Sequence, residues 1–460
     1  MAMQNIPIAS PIKLQTVLPV PAGRGANNRK RNSMKVAIIG AGSTYTPELI
    51  EGIIQNRAQL GLDEVAMMDI DAEKLRIVGG LAVRMLEKAQ MRCRTLLTED
   101  LDEALCGADY VLAQIRVGRL PARYLDETIP LKYGLLGQET TGIGGFFKAL
   151  RTIPEIRHIA RRMERLCPDA WLINFSNPSG ILAQMLSSET NIRAIGLCNV
   201  PINMCTDLRA QLHLPDAEFE FVGLNHLSWI TSIQSGGREY LPEALARGLT
   251  GSQMKNIEQT GFDYDVVRAV GAIPSSYLQY FYFRRAKLEH QQAEAVCRAQ
   301  QCMEIEKELL ELYQNETLAE KPKCLEKRGG ARYSEAAVSL ICAIHNDKQE
   351  RHVVNIQNKG AVPFLREDDV VEIAATVGKN GAQPLPLHTP ENAHIRGLVE
   401  AVKAYERLTV QAARTGDDNA ALSALAVHPL IGDFDAAKAC YFEMKQAHRA
   451  YLPAFFAKGV

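Results

Sequence analysis

Short apolar runs alternate with amphipathic stretches over the first half of the chain. The apolar runs fall at 36–39, 65–68, 110–115, 171–173 and 194–197. Helical periodicity appears between them, for example at 72–90, 153–166 and 180–186. Strands that alternate with helices form mostly parallel sheets with right-handed crossovers. The pattern therefore predicts a doubly wound nucleotide-binding domain over residues 34–200.

The second half of the chain carries longer helical patterns mixed with short extended pieces. The helical patterns lie at 277–313, with a break at 281–285, and at 399–412 and 434–450. Two apolar runs, 352–355 and 370–377, have the composition of strands that could pair. We expect an α+β domain over residues 201–460 that packs against the first and closes a cleft. Residues 1–33, rich in Pro, Gly and Asn, are expected to form a disordered N-terminal extension.

Composition and charge narrow the possible partners and the compartment. The chain of 460 residues has 52 Lys and Arg against 53 Asp and Glu, so no charge excess favours nucleic acid or an acidic membrane surface. No apolar run approaches the roughly 18 residues of a membrane span. The ten cysteines form no CxxC pair, which is typical of reduced thiols. A cytoplasmic protein is the expectation.

A glycine turn stands between the first predicted strand and the helix after it. Glycines at such a turn let backbone amides approach a pyrophosphate at the helix N-terminus. Tyr45 occupies the place of the usual third glycine, so an ordinary strand–helix turn is the alternative. A carboxylate at the end of the second predicted strand can accept bonds from a ribose and repel a 2′-phosphate. The pattern favours NAD over NADP and predicts these contact residues: Gly40, Gly42, Ser43, Thr44 and Asp69.

Three polar segments, 174–178, 198–201 and 225–229, lie at the ends of strand-like runs, where doubly wound sheets bind their ligands. Cys198 and His226, from two of them, could together hold a first-row divalent metal and leave positions open for substrate oxygens. The alternative for Cys198 is a small buried apolar residue at a strand end.

Several long motifs, in one order, resemble those of glycoside hydrolase family 4. They are GAGSTYTPEL, IRVGRLPARYLDETIPLKYGLLGQETTGIGG, INFSNPSG, GLCNVP, GLNHLSW and SYLQYFYF. The similarity extends from Met34 to about residue 430. It implies a Rossmann NAD-binding domain, a lactate/malate dehydrogenase-like fold, and sugar cleavage that uses NAD and a divalent metal, usually Mn²⁺. Glycosidases of this family depart from two-carboxylate chemistry.

The resemblance also implies roles for individual residues. Cys198 and His226 match the metal ligands, Tyr277 the catalytic base, and Glu139 the residue that raises the basicity of that tyrosine. Three further positions match groups that hold the phosphorylated sugar: Arg123, Asn177 and, by a softer alignment, Arg298. Simpler alternatives stay open: Arg123 in an exposed pair with Asp126 or Glu127, Glu139 as a loop cap, and Tyr277 in an aromatic core stripe.

The residue after Cys198 bears on the anomer that is cleaved. Asn199 stands where relatives acting on 6-phospho-α-glucosides carry an acidic Asp, so the resemblance favours the 6-phospho-β-glucosidase subgroup and implies a catalytic position for Asn199. A helix-capping turn residue is the alternative. Arg119, where the family commonly has Gly, and Ile143, where it commonly has Pro, put fine substrate preference in doubt.

The expected reaction is hydrolysis of a phosphorylated disaccharide or other 6-phospho-β-glucoside through oxidation at carbon 3, elimination, water addition and re-reduction. The alternatives are a family-4 α-glycosidase (6-phospho-α-glucosidase, α-galactosidase or α-galacturonidase), a plain NAD-dependent hydroxy-acid dehydrogenase, and a catalytically silent nucleotide sensor. We expect a homodimer or homotetramer, as is common for enzymes of this size.

Overall fold

The computed structural model describes residues 34–250, 262–328 and 332–457. The predicted disordered extension, 1–33, lies outside the described residues. Within them the strands are β1 (Met34–Ile39), β2 (Leu62–Met68), β3 (Arg94–Thr98), β4 (Tyr110–Ala113), β5 (Trp171–Asn174), β6 (Arg193–Gly196), β7 (Glu218–Leu224), β8 (Leu227–Ser235), β9 (Arg238–Glu239), β10 (Ile273–Pro274), β11 (Glu350–Gln357), β12 (Val370–Gly378) and β13 (Gly381–Pro384).

The α-helices of the same residues lie between and after these strands. They are α1 (Thr46–Gln55), α2 (Arg57–Leu60), α3 (Ala72–Lys74), α4 (Gly80–Lys88), α5 (Leu101–Leu105), α6 (Arg119–Thr128), α7 (Gly142–Leu166), α8 (Ser179–Glu189), α9 (Asn199–Leu212), α10 (Leu241–Ala246), α11 (Tyr264–Val270), α12 (Leu278–Tyr282), α13 (Arg284–Ala293), α14 (Arg298–Tyr313), α15 (Tyr333–His345), α16 (Ala393–Thr415), α17 (Asp418–Val427), α18 (Phe434–Ala447) and α19 (Pro453–Phe456). A π-helical turn, Leu75–Gly79, joins α3 to α4.

Six parallel strands form the doubly wound part of the larger sheet, in the order β3-β2-β1-β4-β5-β6. Val36 of β1 pairs with Val65 on one side and with Tyr110 on the other. All of β1 is buried, as expected for a central strand covered by helices on both faces. This strand order is that of a Rossmann fold, so the predicted architecture is confirmed.

The same sheet continues into the second half of the chain. β11 and β12 pair antiparallel, with Val354 opposite Ile373, which confirms the predicted pairing of these two runs. β11 also joins β6 through Asn355 and Gly196, and β13 ends the sheet. The sequence patterns gave no indication that this hairpin extends the N-terminal sheet. The division into domains at residue 200 stays a prediction.

A second, smaller sheet contains β7, β8, β9 and β10. The tight turn between β7 and β8 carries Asn225 and His226, and β10 leads into Tyr277. Apolar residues of this sheet, such as Phe221 and Ile230, pack in one cluster with Leu208 of α9. This sheet, absent from the sequence-based prediction, positions the predicted catalytic tyrosine.

Helix α1 begins at Thr46 with Tyr45 as its N-cap, and the Thr46 hydroxyl donates to the Ala41 carbonyl at 2.8 Å. One local prediction was wrong. The helical stretch 277–313 breaks between α13 and α14, after Ala293, as well as near Phe283. Among the described helices none is both long and apolar enough to cross a membrane.

Candidate active site

A cleft of about 1020 Å³ opens at the carboxyl ends of the parallel strands. Because parallel strands bring all their carboxyl ends to one edge, residues far apart in sequence meet there. Most of the predicted site residues line this cleft: Gly40, Gly42, Ser43, Asp69, Arg123, Glu139, Asn177, Asn199, His226 and Tyr277. Thr44, Cys198 and Arg298 are not among its lining residues.

The glycine turn after β1 is closely packed against the neighbouring strands. Gly40 has a φ of +89°, and a Cβ there would stand 3.0 Å from the Gln114 carbonyl oxygen. The Gly40 and Ala41 amides both donate to the Met68 carbonyl at 2.9 Å. A Cβ on Gly42 would stand 2.8 Å from a carboxylate oxygen of Asp69. Both positions therefore require glycine for a steric reason.

Asp69 is half-buried and is held by the backbone beside it. Its Oδ2 accepts from the Gly42 amide at 2.8 Å, and its Oδ1 accepts from the Asp71 amide at 2.9 Å. The next residue, Ile70, is 80% exposed and also lines the cleft. A carboxylate fixed next to the glycine turn, with an apolar side chain alongside, matches what an adenosine ribose and its base require.

Thr44 ties the glycine turn to the second half of the chain. Its side chain is buried and its hydroxyl accepts from Arg328 at 2.6 Å, while its carbonyl accepts from the Tyr313 hydroxyl at 2.9 Å. The Ser43 hydroxyl stays at the cleft and accepts from the Tyr45 amide at 3.3 Å. Of the two side chains, only that of Ser43 faces the cleft.

The segment after β5 supplies the polar floor of the cleft. The Ser176 hydroxyl accepts from the Ile115 amide at 3.0 Å, which joins this turn to the end of β4. Asn177 is bonded through its side chain to the Tyr333 hydroxyl. Burial, with Cys198 and Tyr277 nearby, raises the pKa of Tyr333 well above its usual value. Tyr333 lies within the extent of the family resemblance, but no single-residue pattern pointed to it.

Cys198 stands at the N-cap of α9 and is buried. Burial and the Glu372 carboxylate raise the pKa of its thiol far above the usual value. The Val200 and Asn199 amides and the Asn225 side chain donate to the sulfur and oppose that shift. These donors suit a thiolate, the form in which cysteine binds a metal.

His226 occupies the turn between β7 and β8 with a φ of +66°. Burial and the charge of Lys148 lower the pKa of its imidazole to about 3, so the ring is neutral. Its Nδ1 is buried and has no hydrogen-bond partner among the described residues. A neutral imidazole with an unused buried nitrogen, near a thiol supported by N–H donors, fits a divalent metal.

Among the described residues no group of three or more His, Cys, Asp or Glu side chains has the arrangement of a metal site. Cys198 and His226 would thus be a two-residue ligand set, and the remaining positions would fall to substrate oxygens or water. The open metal site at Cys198 and His226 stays a prediction.

Tyr277 packs face to face against His226. The ring centroids are 3.7 Å apart and the planes are 10° from parallel. The Tyr277 hydroxyl is hydrogen-bonded to Thr140. Burial raises the pKa of Tyr277, and the charges of Cys198 and Glu139 act in the same direction. The tyrosine belongs to an apolar cluster, as the alternative held, and yet also lines the cleft.

Glu139 lies at the centre of a buried group of cations. Its Oε2 accepts from Arg116 and, at 2.6 Å, from Lys148, while its Oε1 lies 3.1 Å from Arg123 Nη1. Burial alone would raise the pKa of Glu139, but Arg116, Arg123 and Lys148 hold it well below the usual value. Burial and Arg116 lower the pKa of Lys148 to about 7. Glu139 is therefore a charged centre and not a simple loop cap.

The cations around Glu139 have further partners. Arg123 Nε donates to Glu127 at 2.6 Å, and both side chains are buried, whereas the alternative expected an exposed pair. Arg116 and Lys148 are the residues of this cluster that the sequence did not reveal. Arg116 lies within one of the motifs of the family resemblance, but no role was assigned to it, since α7 and the loop after β4 converge only in the folded chain.

Two predicted residues differ in their placement. Asn199, the first residue of α9, is buried and lines the cleft. Arg298, the first residue of α14, donates to the carbonyls of Lys327 and Arg328, each at 3.1 Å, and does not line the cleft. The structure thus brings ten of the predicted site residues to the lining of one cleft, and Thr44, Cys198 and Arg298 are not part of that lining.

Arg119 has a φ of +54°, a conformation that favours glycine, which the family commonly has there. Its guanidinium reaches Asp71 Oδ2 at 2.9 Å, and 54% of the side chain is exposed. Asp71 follows β2 and Arg119 follows β4, so this ion pair joins the ends of the two strands, and both residues line the cleft.

Comparison with known proteins identifies relatives of this chain. A model of the family 4 glycosyl hydrolases matches residues 35–214, and a model of the C-terminal domain of the same family matches residues 221–431. The chain is 43% identical over 438 residues to a probable 6-phospho-beta-glucosidase of Bacillus subtilis, which covers 92% of this chain and 98% of that protein.

Solved structures show the same relation. A 6-phospho-beta glucosidase of Thermotoga maritima with manganese, NAD⁺ and glucose-6-phosphate has a TM-score of 0.84 and 35% identity, over 91% of this chain and 99% of that one. A malate dehydrogenase of Plasmodium falciparum has a TM-score of 0.53 and 13% identity over 83% of this chain and 98% of its own. The latter likeness concerns the fold alone and confirms the dehydrogenase-like architecture.

Proposed function

Because the chain belongs to the family 4 glycosyl hydrolases, we propose that it hydrolyses 6-phospho-β-glucosides with the help of NAD and a divalent metal, Mn²⁺ by preference. The observation that carries the proposal is the shared cleft: the glycine turn with Asp69, and His226 stacked on Tyr277, line one cavity. A plain NAD-dependent dehydrogenase does not need the two proposed metal ligands, Cys198 and His226, so their presence favours the glycosidase.

NAD and the metal would supply the redox and Lewis-acid parts of the chemistry, that is, a hydride acceptor and donor for carbon 3 of the sugar and stabilisation of negative charge on a substrate oxygen. Gly40, Gly42, Ser43 and Asp69 would hold the dinucleotide, with Thr44 supporting the turn from behind. Cys198 and His226 would hold the metal.

Tyr277 would remove the proton from carbon 2 of the oxidised sugar. Burial keeps its hydroxyl protonated in the protein alone, so a nearby positive charge is needed to form the phenolate. Glu139 opposes that change electrostatically and thereby makes the phenolate a stronger base once formed. This is the role that the family resemblance implies for Glu139.

The sugar phosphate would lie against the polar floor and the cationic cluster. Asn177 and Arg123 both line the cleft, and a guanidinium suits bidentate phosphate binding. Arg298 would contribute only if its hydrogen bonds to main-chain carbonyls were exchanged for the substrate. Asn199 cannot act as an acid, so water would protonate the departing oxygen, which fits a β- rather than an α-glucosidase.

A paired assay tests the proposal. The purified protein is stripped of nucleotide and metal and given 4-nitrophenyl 6-phospho-β-glucoside or its α-anomer, with NAD⁺ and Mn²⁺ added separately and together. We expect release of nitrophenol from the β-anomer alone, only with both additions, and with no net NADH. Hydrolysis at full rate by the stripped protein contradicts the proposal, and steady accumulation of NADH indicates a dehydrogenase.

We also propose a cellular location and an oligomeric state. Free thiols at all ten cysteines support a cytoplasmic location, where disulfides do not persist. A homodimer or homotetramer follows from the general tendency of such enzymes to form symmetric assemblies. Sedimentation of the purified chain measures its oligomeric state.

A further inference from the structure

Glu372 of β12 lies behind the proposed metal ligands and is 1% exposed. Its carboxylate accepts three hydrogen bonds: from Asn225 Nδ2 at 3.1 Å, from Ser228 Oγ at 2.8 Å and from Asn355 Nδ2 at 3.3 Å. A buried carboxylate is costly unless its oxygens are satisfied, and these donors satisfy both of them. The mechanism described above does not use Glu372.

Two of the donors flank His226 in the turn between β7 and β8. Asn225 precedes the histidine and Ser228 follows it by two residues, so the carboxylate binds the turn on both sides. His226 itself has a φ of +66°, which costs free energy for a residue other than glycine and needs support from its surroundings. Glu372 provides that support.

Asn225 also connects Glu372 to the other ligand. Its side chain donates to the sulfur of Cys198 as well as to Glu372. An amide has two N–H bonds, so one NH₂ group can serve both acceptors at once. The carboxylate thus orients the donor that supports the thiolate.

Asn355 adds a third connection, to the strand that ends just before Cys198. Its Nδ2 donates to the Gly196 carbonyl at 3.5 Å, and a Cβ on Gly196 would stand 2.9 Å from the Asn355 Cβ. Glycine is therefore required for this close approach. Glu372 bonds with groups attached to both ligand-bearing segments.

We propose that Glu372 is a positioning residue of the metal site, which fixes His226 and Cys198 relative to each other through Asn225, Ser228 and Asn355. The inference rests on the proposed role of Cys198 and His226 as metal ligands. Partners that orient metal ligands typically change metal affinity about tenfold to hundredfold when they are replaced.

The test measures binding of Mn²⁺ by isothermal titration calorimetry to the full chain saturated with NAD⁺. Glu372→Gln keeps the shape of the side chain but sets an NH₂ group against N–H donors. We expect its dissociation constant for Mn²⁺ to rise tenfold to hundredfold, with the constant for NAD⁺ unchanged. A rise of less than tenfold overturns the inference.

A matched control separates positioning from general loss of stability. Asp369, immediately before the same strand, is equally buried and pairs with Arg407, but within the described part of the chain it makes no hydrogen bond to the turn that carries His226. Asp369→Asn should lower the melting temperature and leave Mn²⁺ affinity unchanged. Equal weakening of Mn²⁺ binding by both variants would also overturn the inference.

A second variant covers the case in which Glu372→Gln does not fold. Asn225→Ala removes the connecting amide from a half-buried turn and should weaken Mn²⁺ binding by at least about tenfold; a smaller effect rejects the inference. Where both fold, the double variant should bind Mn²⁺ no more weakly than the weaker single variant. If Cys198→Ser leaves Mn²⁺ binding intact, the proposed metal site itself fails; if it abolishes binding while Glu372→Gln does not, only the inference fails.

Discussion

Replacement of Gly42 by alanine should weaken NAD binding. The new Cβ would stand 2.8 Å from Asp69 Oδ2 and 3.0 Å from the Lys74 Cβ, whereas ordinary contact begins at 3.4 Å. Relief requires the Asp69 carboxylate to move, and this breaks the bond of 2.8 Å that it accepts from the Gly42 amide. The carboxylate then leaves the position in which it would meet the ribose.

The expected loss of NAD⁺ affinity is that of the hydrogen bond between the Asp69 carboxylate and the ribose. A hydrogen bond to a charged group contributes about 1.5–3 kcal/mol. Since about 1.4 kcal/mol corresponds to a factor of ten in affinity, the dissociation constant for NAD⁺ should rise roughly tenfold to hundredfold. Overpacking at the turn should cost about 1–3 kcal/mol of unfolding free energy as well.

Titration calorimetry with NAD⁺ measures the affinity, and urea unfolding measures the stability. Gly61→Ala is the control: Gly61 has a positive φ of +56°, and no described atom lies within 4 Å of its Cβ position. The control should lose stability through backbone strain and keep its NAD⁺ affinity. If Gly42→Ala binds NAD⁺ within twofold of the parent, the glycine turn is not the dinucleotide site.

Four other substitutions test separate parts of the site. Tyr277→Phe should lower turnover by about 10²–10⁴ and stop exchange of the carbon 2 proton with solvent, followed by NMR in D₂O; continued exchange rejects the base. Cys198→Ser should weaken Mn²⁺ binding by at least about tenfold with NAD⁺ affinity retained, as calorimetry would report. The pKa of Lys148 in the folded chain, about 7, lies below its unfolded value, so between about pH 7 and 10.4 the unfolded chain binds one proton more than the folded chain. Over that range the unfolding free energy of the parent, relative to that of Lys148→Met, should rise by up to about 1.4 kcal/mol per pH unit. A difference that does not change with pH refutes the lowered pKa of Lys148. Arg119→Gly should keep or raise the melting temperature, since glycine adopts a φ of +54° without strain; a large drop would show that the pair with Asp71 outweighs it.

The parallel strands could be predicted because they are buried on both faces and so appear as short apolar runs. β3 was missed for the opposite reason: it lies at the sheet edge, and most of its residues, such as Arg94, are partly or fully exposed. The pairing of β11 with β6 was also missed. Strand pairing across such a distance in sequence leaves no local pattern, and Asn355 opposite Gly196 carries no recognisable motif.

The residues of the candidate site also differ in whether a local sequence pattern predicts them. The glycine turn and Asp69 have a fixed spacing relative to a strand and a helix, so their chemistry could be inferred from the sequence. Tyr277 could be predicted only through the family resemblance, because a tyrosine that is only 8% exposed within an apolar cluster is otherwise indistinguishable from a core aromatic residue. Lys148 and Glu372 have no sequence pattern at all, and their importance comes from the partners that the fold brings to them.

The two proposed metal ligands, Cys198 and His226, come together only in the tertiary structure. Cys198 follows β6 of the larger sheet, whereas His226 lies in the smaller sheet. β12 connects the two sheets. It pairs with β11, which pairs with β6 of the larger sheet, and its Glu372 accepts a hydrogen bond from the turn region of the smaller sheet that carries His226. A fragment that ended before β11 would keep the glycine turn and both ligand residues but would lack the strand that fixes them. Metal affinity should therefore depend on the β11–β12 hairpin, although that hairpin supplies no ligand.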